Sequence, residues 1–367
     1  HKYTIEASVC HFEHNGKSFN MIDTPGYPDF IGQTIGALHG VDTAAIVVNA
    51  HSGIEVNTRR VFDEAGKAGL GRMIIINKMD DENIDFQALF SSIQEMLGPG
   101  CVLLNVPIGQ GTDFKGVAST LNPPDDVSGA VVDPGEIRDP LFESIIEVDE
   151  AVMEKYFEGE PPTEEELSRL IVQAVAEGSL IPIVCTSGKQ EVGLTEFLDA
   201  VCMCGLSPTT KTRTATKDGA EVEVTADPNG PLVAQVFKTR IDPFVQKLSF
   251  MRIYSGTMKK DQQVGVSTAR KPVKMGQLLK VQASETSNID SAGPGDIVAV
   301  AKMEELATGA SVGDCTLPPI KFPTPMVGLA VSPKSRGDET KLSGALNKVD
   351  EEDPTFVLDR DAQTKEL

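Results

Sequence analysis

Three apolar runs constrain this chain more than any other feature: Thr43 to Val48, Arg72 to Asn77 and Ile181 to Cys185. Each has the length of a strand and reads as one buried on both faces. Helical segments lie between them. Val56 to Ala68 has helical character, and Phe86, Leu89, Phe90, Ile93, Met96 and Leu97 recur at helical spacing. Another helix runs from Thr195 to Cys202 and is stopped by Gly205. Parallel strands need a crossover connection, so strands alternating with helices predict a mostly parallel sheet covered by helices. The expectation for residues 1–206 is therefore an α/β domain.

The rest of the chain divides by the same criteria. Residues 6 to 23 alternate around Asn15-Gly16, a dipeptide suited to the positive φ angles of a tight hairpin, and end at Met21-Ile22-Asp23. Residues of about 99–180 interrupt the alternation and read as an inserted subdomain. It holds a Pro- and Asp-rich loop from Asn122 to Pro140 and two helices, the second opened by capping-box spacing at Thr163 and Glu166 and closed by Gly178. Residues 207–228 are polar and loop-like, a linker. Residues 229–320 hold short strands parted by Gly, Pro and Asp turns, the pattern of a small β-barrel. In 321–367 a strand (Met326 to Val331), a helix (Asp338 to Glu352, with Leu342, Ala345, Leu346 and Val349 on one face) and a strand (Thr355 to Asp359) predict the start of a truncated third domain.

A length of 367 residues fits two or three such domains. Lys and Arg total 33 against 54 Asp and Glu, a formal charge of -21, and that field would repel bare nucleic acid. No apolar run approaches the roughly 18 residues of a membrane span. The start has no signal-peptide pattern, although without an initiating Met the chain reads as a fragment. The six cysteines lie mostly in apolar, strand-like stretches and read as reduced core thiols of a cytoplasmic protein. Cys10-His11 with His14, and Cys202 with Cys204, fit no zinc spacing and are assigned structural roles.

Two motifs sit at strand ends in a telling order. Asp23-Thr24-Pro25-Gly26 follows a strand. There a carboxylate can hold Mg²⁺ directly or through water, and a glycine lets a backbone N–H approach a terminal phosphate. Asn77-Lys78-Met79-Asp80 ends a later strand. An Asp accepts from the ring N–H and exocyclic amine of guanine, which adenine does not offer, while a Lys stem can lie on the purine face. Cys185-Thr186-Ser187-Gly188 ends the last strand, where small residues would let backbone N–H groups reach a guanine carbonyl. Gly16-Lys17-Ser18 imitates the end of a phosphate-binding P-loop, but the motif's first glycine would fall on His11, and a strand rather than a helix follows. No other stretch supplies a P-loop, so weak nucleotide binding by these residues alone is expected.

On these residues the chain resembles the elongation factor G family of translational GTPases over essentially its whole length. Asp23 to Gly26 match its DTPG, Asn77 to Asp80 its NKMD, and Ser187-Gly188 its Ser-Ala guanine loop. Asp242-Pro243-Phe244-Val245, Tyr254-Ser255-Gly256, Pro333-Lys334-Ser335 and Glu352-Asp353-Pro354-Thr355-Phe356 match further along. The resemblance implies a P-loop-type GTPase domain with an inserted subdomain, a β-barrel, and a partial ferredoxin-like α+β domain. It implies GTP/GDP and Mg²⁺ as ligands, with Thr4 and Asp23 at the metal, and a monomer acting in translocation on the ribosome, on RNA and protein, with no DNA or membrane partner. It also implies that the P-loop and two C-terminal domains are missing.

Two residues depart from the family. Tyr27 stands where the family carries a His that positions the attacking water, and an imidazole titrates near 6.5 whereas a phenol does so near 10. Gly188 replaces Ala, a mild change where the backbone N–H is the group used. Tyr27 leaves open a ribosome-binding nucleotide switch without efficient hydrolysis. The shared front half also leaves open a GTPase of the ribosome-protection or release-factor type.

Overall fold

The computed structural model describes residues 3–242, 246–335 and 337–359. The chain forms two compact units, one of residues 1–11, 20–41 and 211–367 and the other of 12–19 and 42–210.

The second unit is built on four parallel strands, β3 (Thr43–Asn49), β4 (Gly71–Asn77), β5 (Cys101–Leu103) and β8 (Ile181–Cys185), in the order β3-β4-β8-β5. The registers pair Asn49 with Asn77 and Ile76 with Cys185, so β3, β4 and β8 end at one level. Met73, Ile74, Ile76, Ile183 and Val184 are buried, as β-branched runs sandwiched between helices must be. The covering helices include α2 (Val56–Lys67), α3 (Phe86–Leu97) and α7 (Leu194–Cys204). Asp85 caps α3 by accepting from Ala88 N at 3.0 Å. Met96 does not share the buried face of that helix; it is exposed. Asn15 and Gly16, with φ of 47° and 73°, turn the hairpin between β1 (Ser8–His14) and β2 (Lys17–Asp23) as their sequence predicts.

The residues of about 99–180, expected to form an inserted subdomain, hold more structure than expected. They add an antiparallel pair, β6 (Asn105–Ile108) with β7 (Gly116–Ser119), and three helices instead of two: α4 (Pro134–Ile146), α5 (Glu150–Phe157) and α6 (Glu164–Glu177). Residues 134 to 140, expected in a loop, open α4. Asp133 caps it through Gly135 N at 2.9 Å, and Pro134 occupies the first turn, where its missing N–H has no partner to lose. Thr163 and Glu166 form the expected reciprocal box, and Gly178 ends α6 in the left-handed region at φ 85°.

In the first unit α1 (Ile31–Leu38) lies close to β11 (Val233–Asp242), where a Cβ on Gly36 would come within 2.5 Å of the Phe237 carbonyl. β11 pairs antiparallel with β12 (Gln246–Ser255) in a six-stranded sheet, with irregularities at Val233/Ala234 and Val236/Lys238. Val236, Met251, Ile253, Leu278, Val298 and Val300 fill its core. Residues 207–228 are not a loop-like linker. They hold a hairpin of β9 (Arg213–Lys217) and β10 (Ala220–Val224), turned at Asp218-Gly219 with both φ positive. Ala215 and Val224 pack with Val233, Tyr254 and Leu317, while the alternate residues that face outward gave the segment its polar composition.

The predicted helix near the end forms as α8 (Glu339–Glu352), anchored by the Glu352 carboxylate, which accepts from Ile241 N, and by Glu351, 3.6 Å from Lys247 Nζ. Its apolar stripe is only partly covered: Leu342 and Leu346 are half-buried, whereas Ala345 and Val349 are exposed. The strands expected at Met326 to Val331 and Thr355 to Asp359 do not form among the described residues. An extended run becomes a strand only when a neighbour takes up its backbone groups, and Met326, Val327 and Leu329 are largely exposed. Pro243, Phe244 and Val245 lie outside the described residues.

Candidate functional site

The sheet brings the ends of β4 and β8 side by side, with Ile76 opposite Cys185, and the residues just beyond are bonded to each other. Asn77 Oδ1 accepts from Lys78 N at 2.8 Å, from Gly188 N at 2.9 Å and from Thr186 Oγ1 at 3.4 Å. Backbone N–H groups can only donate, so this oxygen is fixed as the acceptor, and the Asn77 amide NH₂ is the group that can donate outward. Gly188 N–H, expected to serve a guanine carbonyl, is spent on Asn77 in this structure. Lys78 adopts a left-handed φ of 64°, which turns the chain and leaves its side chain exposed. Met79 is fully buried; its N donates to Thr186 O at 3.2 Å and its O accepts from Gly111 N at 2.8 Å. Its role is to anchor the loop, and its side chain is not placed to touch a ligand.

Asp80 is held next. The Ser187 hydroxyl, fully buried, donates to Asp80 Oδ1 at 2.5 Å and accepts from Gln190 N at 3.1 Å. Ser187 and Val192 also exchange backbone hydrogen bonds at 2.9 and 3.1 Å. The second carboxylate oxygen of Asp80 is the acceptor this arrangement leaves for a ligand's N–H groups. Sequence reasoning missed three supports: Gln190, Asn105, whose Oδ1 accepts from Cys185 N at 2.8 Å, and Gly193, where a Cβ would come within 2.6 Å of the Cys185 carbonyl. Only Gly193, just before a helix, gave a legible signal. An alanine Cβ at 188 would meet Asn77 at 3.7 Å or more, so glycine is not required there.

The other motif lies in the first unit. β2 ends at Asp23, whose side chain is exposed. Burial first, and then the Asp23 charge, push the Cys10 thiol pKa up. Thr24 is half-buried, and Pro25 is buried, its carbonyl accepting from Thr34 Oγ1 at 3.5 Å. A Cβ on Gly26 would meet nothing within 4 Å, so the space above this backbone is open. Tyr27 is 51% exposed and precedes a 3-10 turn over Pro28–Phe30. Thr4 is exposed. The Asp23 carboxylate and Thr4 hydroxyl are hard oxygen donors of the kind Mg²⁺ takes, and so few protein ligands suit an ion completed by phosphate oxygens and water.

Residues 1–205 match the family model of the elongation factor Tu GTP binding domain, residues 231–314 that of elongation factor G domain 2, and residues 322–367 that of elongation factor G domain III. Among solved structures, the crystal structure of ttk003000868 from Thermus thermophilus is similar, with 29% identity and a TM-score of 0.84. The match covers 99% of this chain and 55% of that one, so the chain spans about half the length of its structural relative.

Proposed function

We propose that this chain, which belongs to the elongation factor Tu GTP-binding-domain family, is part of an elongation factor G-like GTPase that acts on the ribosome in translocation. The observation that carries this reading is the bonded pair of loops, Asn77 to Gly188 and Asp80 to Ser187, which presents an amide donor and a carboxylate acceptor together. The Asp80 carboxylate would accept from the two N–H groups on the guanine edge, and the Lys78 stem would lie on the ring. In the other motif, Gly26 N–H would approach the terminal phosphate. Thr4 and Asp23 would hold the Mg²⁺ that neutralises phosphate charge, Asp23 through water.

Tyr27 then faces the attacking water. Its hydroxyl can orient that water with one hydrogen bond accepted or donated, but a phenol is not an imidazole and exchanges protons differently near neutrality. We expect hydrolysis slower than in a His-bearing relative. Tyr27 also favours a second reading, a ribosome-binding nucleotide switch without efficient turnover.

Ribosome-stimulated GTP hydrolysis by the full-length natural protein separates the two. Measurable turnover that rises in Tyr27→His supports the enzyme; binding without turnover in either form supports the switch. A rate that is unchanged or lower in Tyr27→His, and also when Tyr3, whose ring packs on Tyr27, is replaced by Ala in the same variant, with nucleotide affinity intact, would sink the assignment of Tyr27 to the water.

A further inference from the structure

The turn between β6 and β7 is built to hold one shape. Ile108 and Gly116 close the strand pair, and Lys115 N donates to Ile108 O at 2.9 Å. Gly109 has a φ of 73°, and a Cβ there would come 2.0 Å from the Asp113 carbonyl, so only glycine fits. Gly111 is also left-handed, at φ 63°, and opens a 3-10 turn in which Phe114 N donates to Gly111 O at 3.1 Å. The buried Phe114 side chain fastens that turn to the core. What the turn presents is the Gln110 side chain and the Gly111 N–H.

Both are spent on the segment that carries Asp80. Gly111 N donates to Met79 O at 2.8 Å, while Met79 N donates to Thr186 O, so the residue before Asp80 is held from two sides. Asp81 N donates to Lys78 O at 3.0 Å and folds the Asp80 backbone into a turn. A Cβ on Gly111 would meet the Asp81 carbonyl at 3.3 Å, so the two backbones run close together. At the far end of the segment, Gln110 Oε1 accepts from Phe86 N at 3.1 Å. Phe86 is buried and is the first residue of α3, where N–H groups have no partner within the helix. Asp85 takes the N–H of Ala88, and Gln110 takes that of Phe86. Asn105 on β6 meanwhile accepts from Cys185 N at the end of β8. One strand pair and its turn thus bond to the backbone on both sides of Asp80 and to the root of the loop that carries Ser187.

We propose that Gln110 and Gly111 are positioning residues for base selection: through Phe86 and Met79 they fix the backbone from which Asp80 reaches a guanine edge. This rests on the reading that Asp80 accepts from the two N–H groups of that edge. Neither residue needs to touch the base. Contacts that act through a neighbour in this way change affinity by roughly 2- to 30-fold.

The test compares GDP with inosine diphosphate, which keeps the ring N–H and lacks the exocyclic amine. Titration calorimetry of the full-length natural protein reads both affinities, with thermal melting as the control for folding. Gln110→Met keeps the stem and removes the oxygen. It should lower GDP affinity by roughly 2- to 30-fold and inosine diphosphate affinity by less, because two bonds demand a geometry to which one bond can adjust. Gln110→Glu restores an oxygen for the Phe86 N–H and returns both affinities to wild type. In an Asp80→Asn background, where the preference for GDP is gone, Gln110→Met leaves the ratio of the two affinities unchanged.

A second measurement needs no variant. Coupling between a ligand and a distant contact is reciprocal, so GDP binding should tighten the bonds that place Asp80. Amide hydrogen exchange should slow more at Gly111 and Phe86 than at Thr120, whose N–H bonds to Leu104 O just beyond β7. Equal slowing at all three overturns the proposal. So does unchanged GDP affinity in Gln110→Met, or an equal loss for both nucleotides, while Asp80→Asn still abolishes the preference for GDP; the reading of Asp80 then survives. If Asp80→Asn itself keeps that preference, the reading of Asp80 fails and the role of Gln110 and Gly111 fails with it.

Discussion

Asp80→Asn tests the guanine assignment with the least collateral change. Asn at this position keeps an Oδ1 that can accept from the Ser187 hydroxyl, which now lies 2.5 Å from the carboxylate. The Ser187 contacts to Gln190 and Val192 do not involve residue 80 and remain. What changes is the outward group, from a charged acceptor to an NH₂ donor. Against guanine, two charge-assisted hydrogen bonds are lost, each worth about 1.5–3 kcal/mol. Their sum is about 3–6 kcal/mol, a loss of roughly 10²- to 10⁴-fold in affinity. Xanthine carries a carbonyl where guanine has its exocyclic amine, so the new NH₂ has an acceptor and binding shifts toward that base. Titration calorimetry of the full-length natural protein with GDP, xanthosine diphosphate and ADP measures the shift, with thermal melting as the control for folding. GDP affinity held within threefold of wild type would refute the reasoning. So would an equal loss for GDP and xanthosine diphosphate with the melting temperature unchanged.

Other consequences follow from particular contacts. Ser187→Ala unfastens Asp80 and strips the Gln190 N–H of its acceptor, which should weaken GDP binding by about 1–3 kcal/mol; Gly188→Ala, with ordinary contact distances around its Cβ, should stay within twofold of wild type in the same titration. The Asp149 carboxyl is held below the usual carboxylate range by Arg169, 2.8 Å away, and by Val152 N. A lowered folded pKa stabilises at and above the unfolded value near 3.9, and that stabilisation is lost as pH falls through the folded value. Denaturant melts should therefore show the gap between wild type and Asp149→Asn closing in acid and constant between pH 5 and 7. Burial pushes the Cys101 and Cys204 thiols up to about 12, and that of Cys185 higher still. Mass spectrometry after native alkylation at pH 8 should find label on Cys202 and Cys10, which are half-buried, and none on those three.

The central sheet was legible because burial on both faces leaves one composition for such strands: the runs at 72 to 77, apolar between Arg72 and Asn77, and at 181 to 185, apolar throughout, fall within one residue of the observed strands. The motifs were legible for a related reason, since each occupies a strand end. The hairpin of β9 and β10 was not, because every second residue faces outward and the apolar ones, Ala215, Val222 and Val224, are few and small. Its one clear signal was Asp218-Gly219 at the turn. The third-domain runs failed in the opposite sense: their residues favour strands, but pairing is a property of two segments and cannot be read from one. The same limit hid the inner bonding of the site. Asn77 and Ser187 stood out as residue types, yet their hydrogen bonds to Gly188 and Asp80 span more than a hundred residues of chain.

Those bonds bear on what Tyr27 signifies. A site that had lost its use would have no reason to keep a buried hydroxyl aimed at Asp80, or an amide oxygen bonded to both loops, and both are present. Nor does Tyr27 sit as an accidental replacement facing solvent alone: a second aromatic ring packs on it, from the residue beside Thr4. A histidine at 27 would present a smaller ring to Tyr3 and shrink that contact. The change at this position thus touches its neighbour, and exchanging Tyr27 for His by itself alters two things, the group offered to the water and the packing against Tyr3. Turnover in the combined Tyr3→Ala, Tyr27→His variant separates them, because the imidazole then acts without the ring that Tyr27 is fitted to.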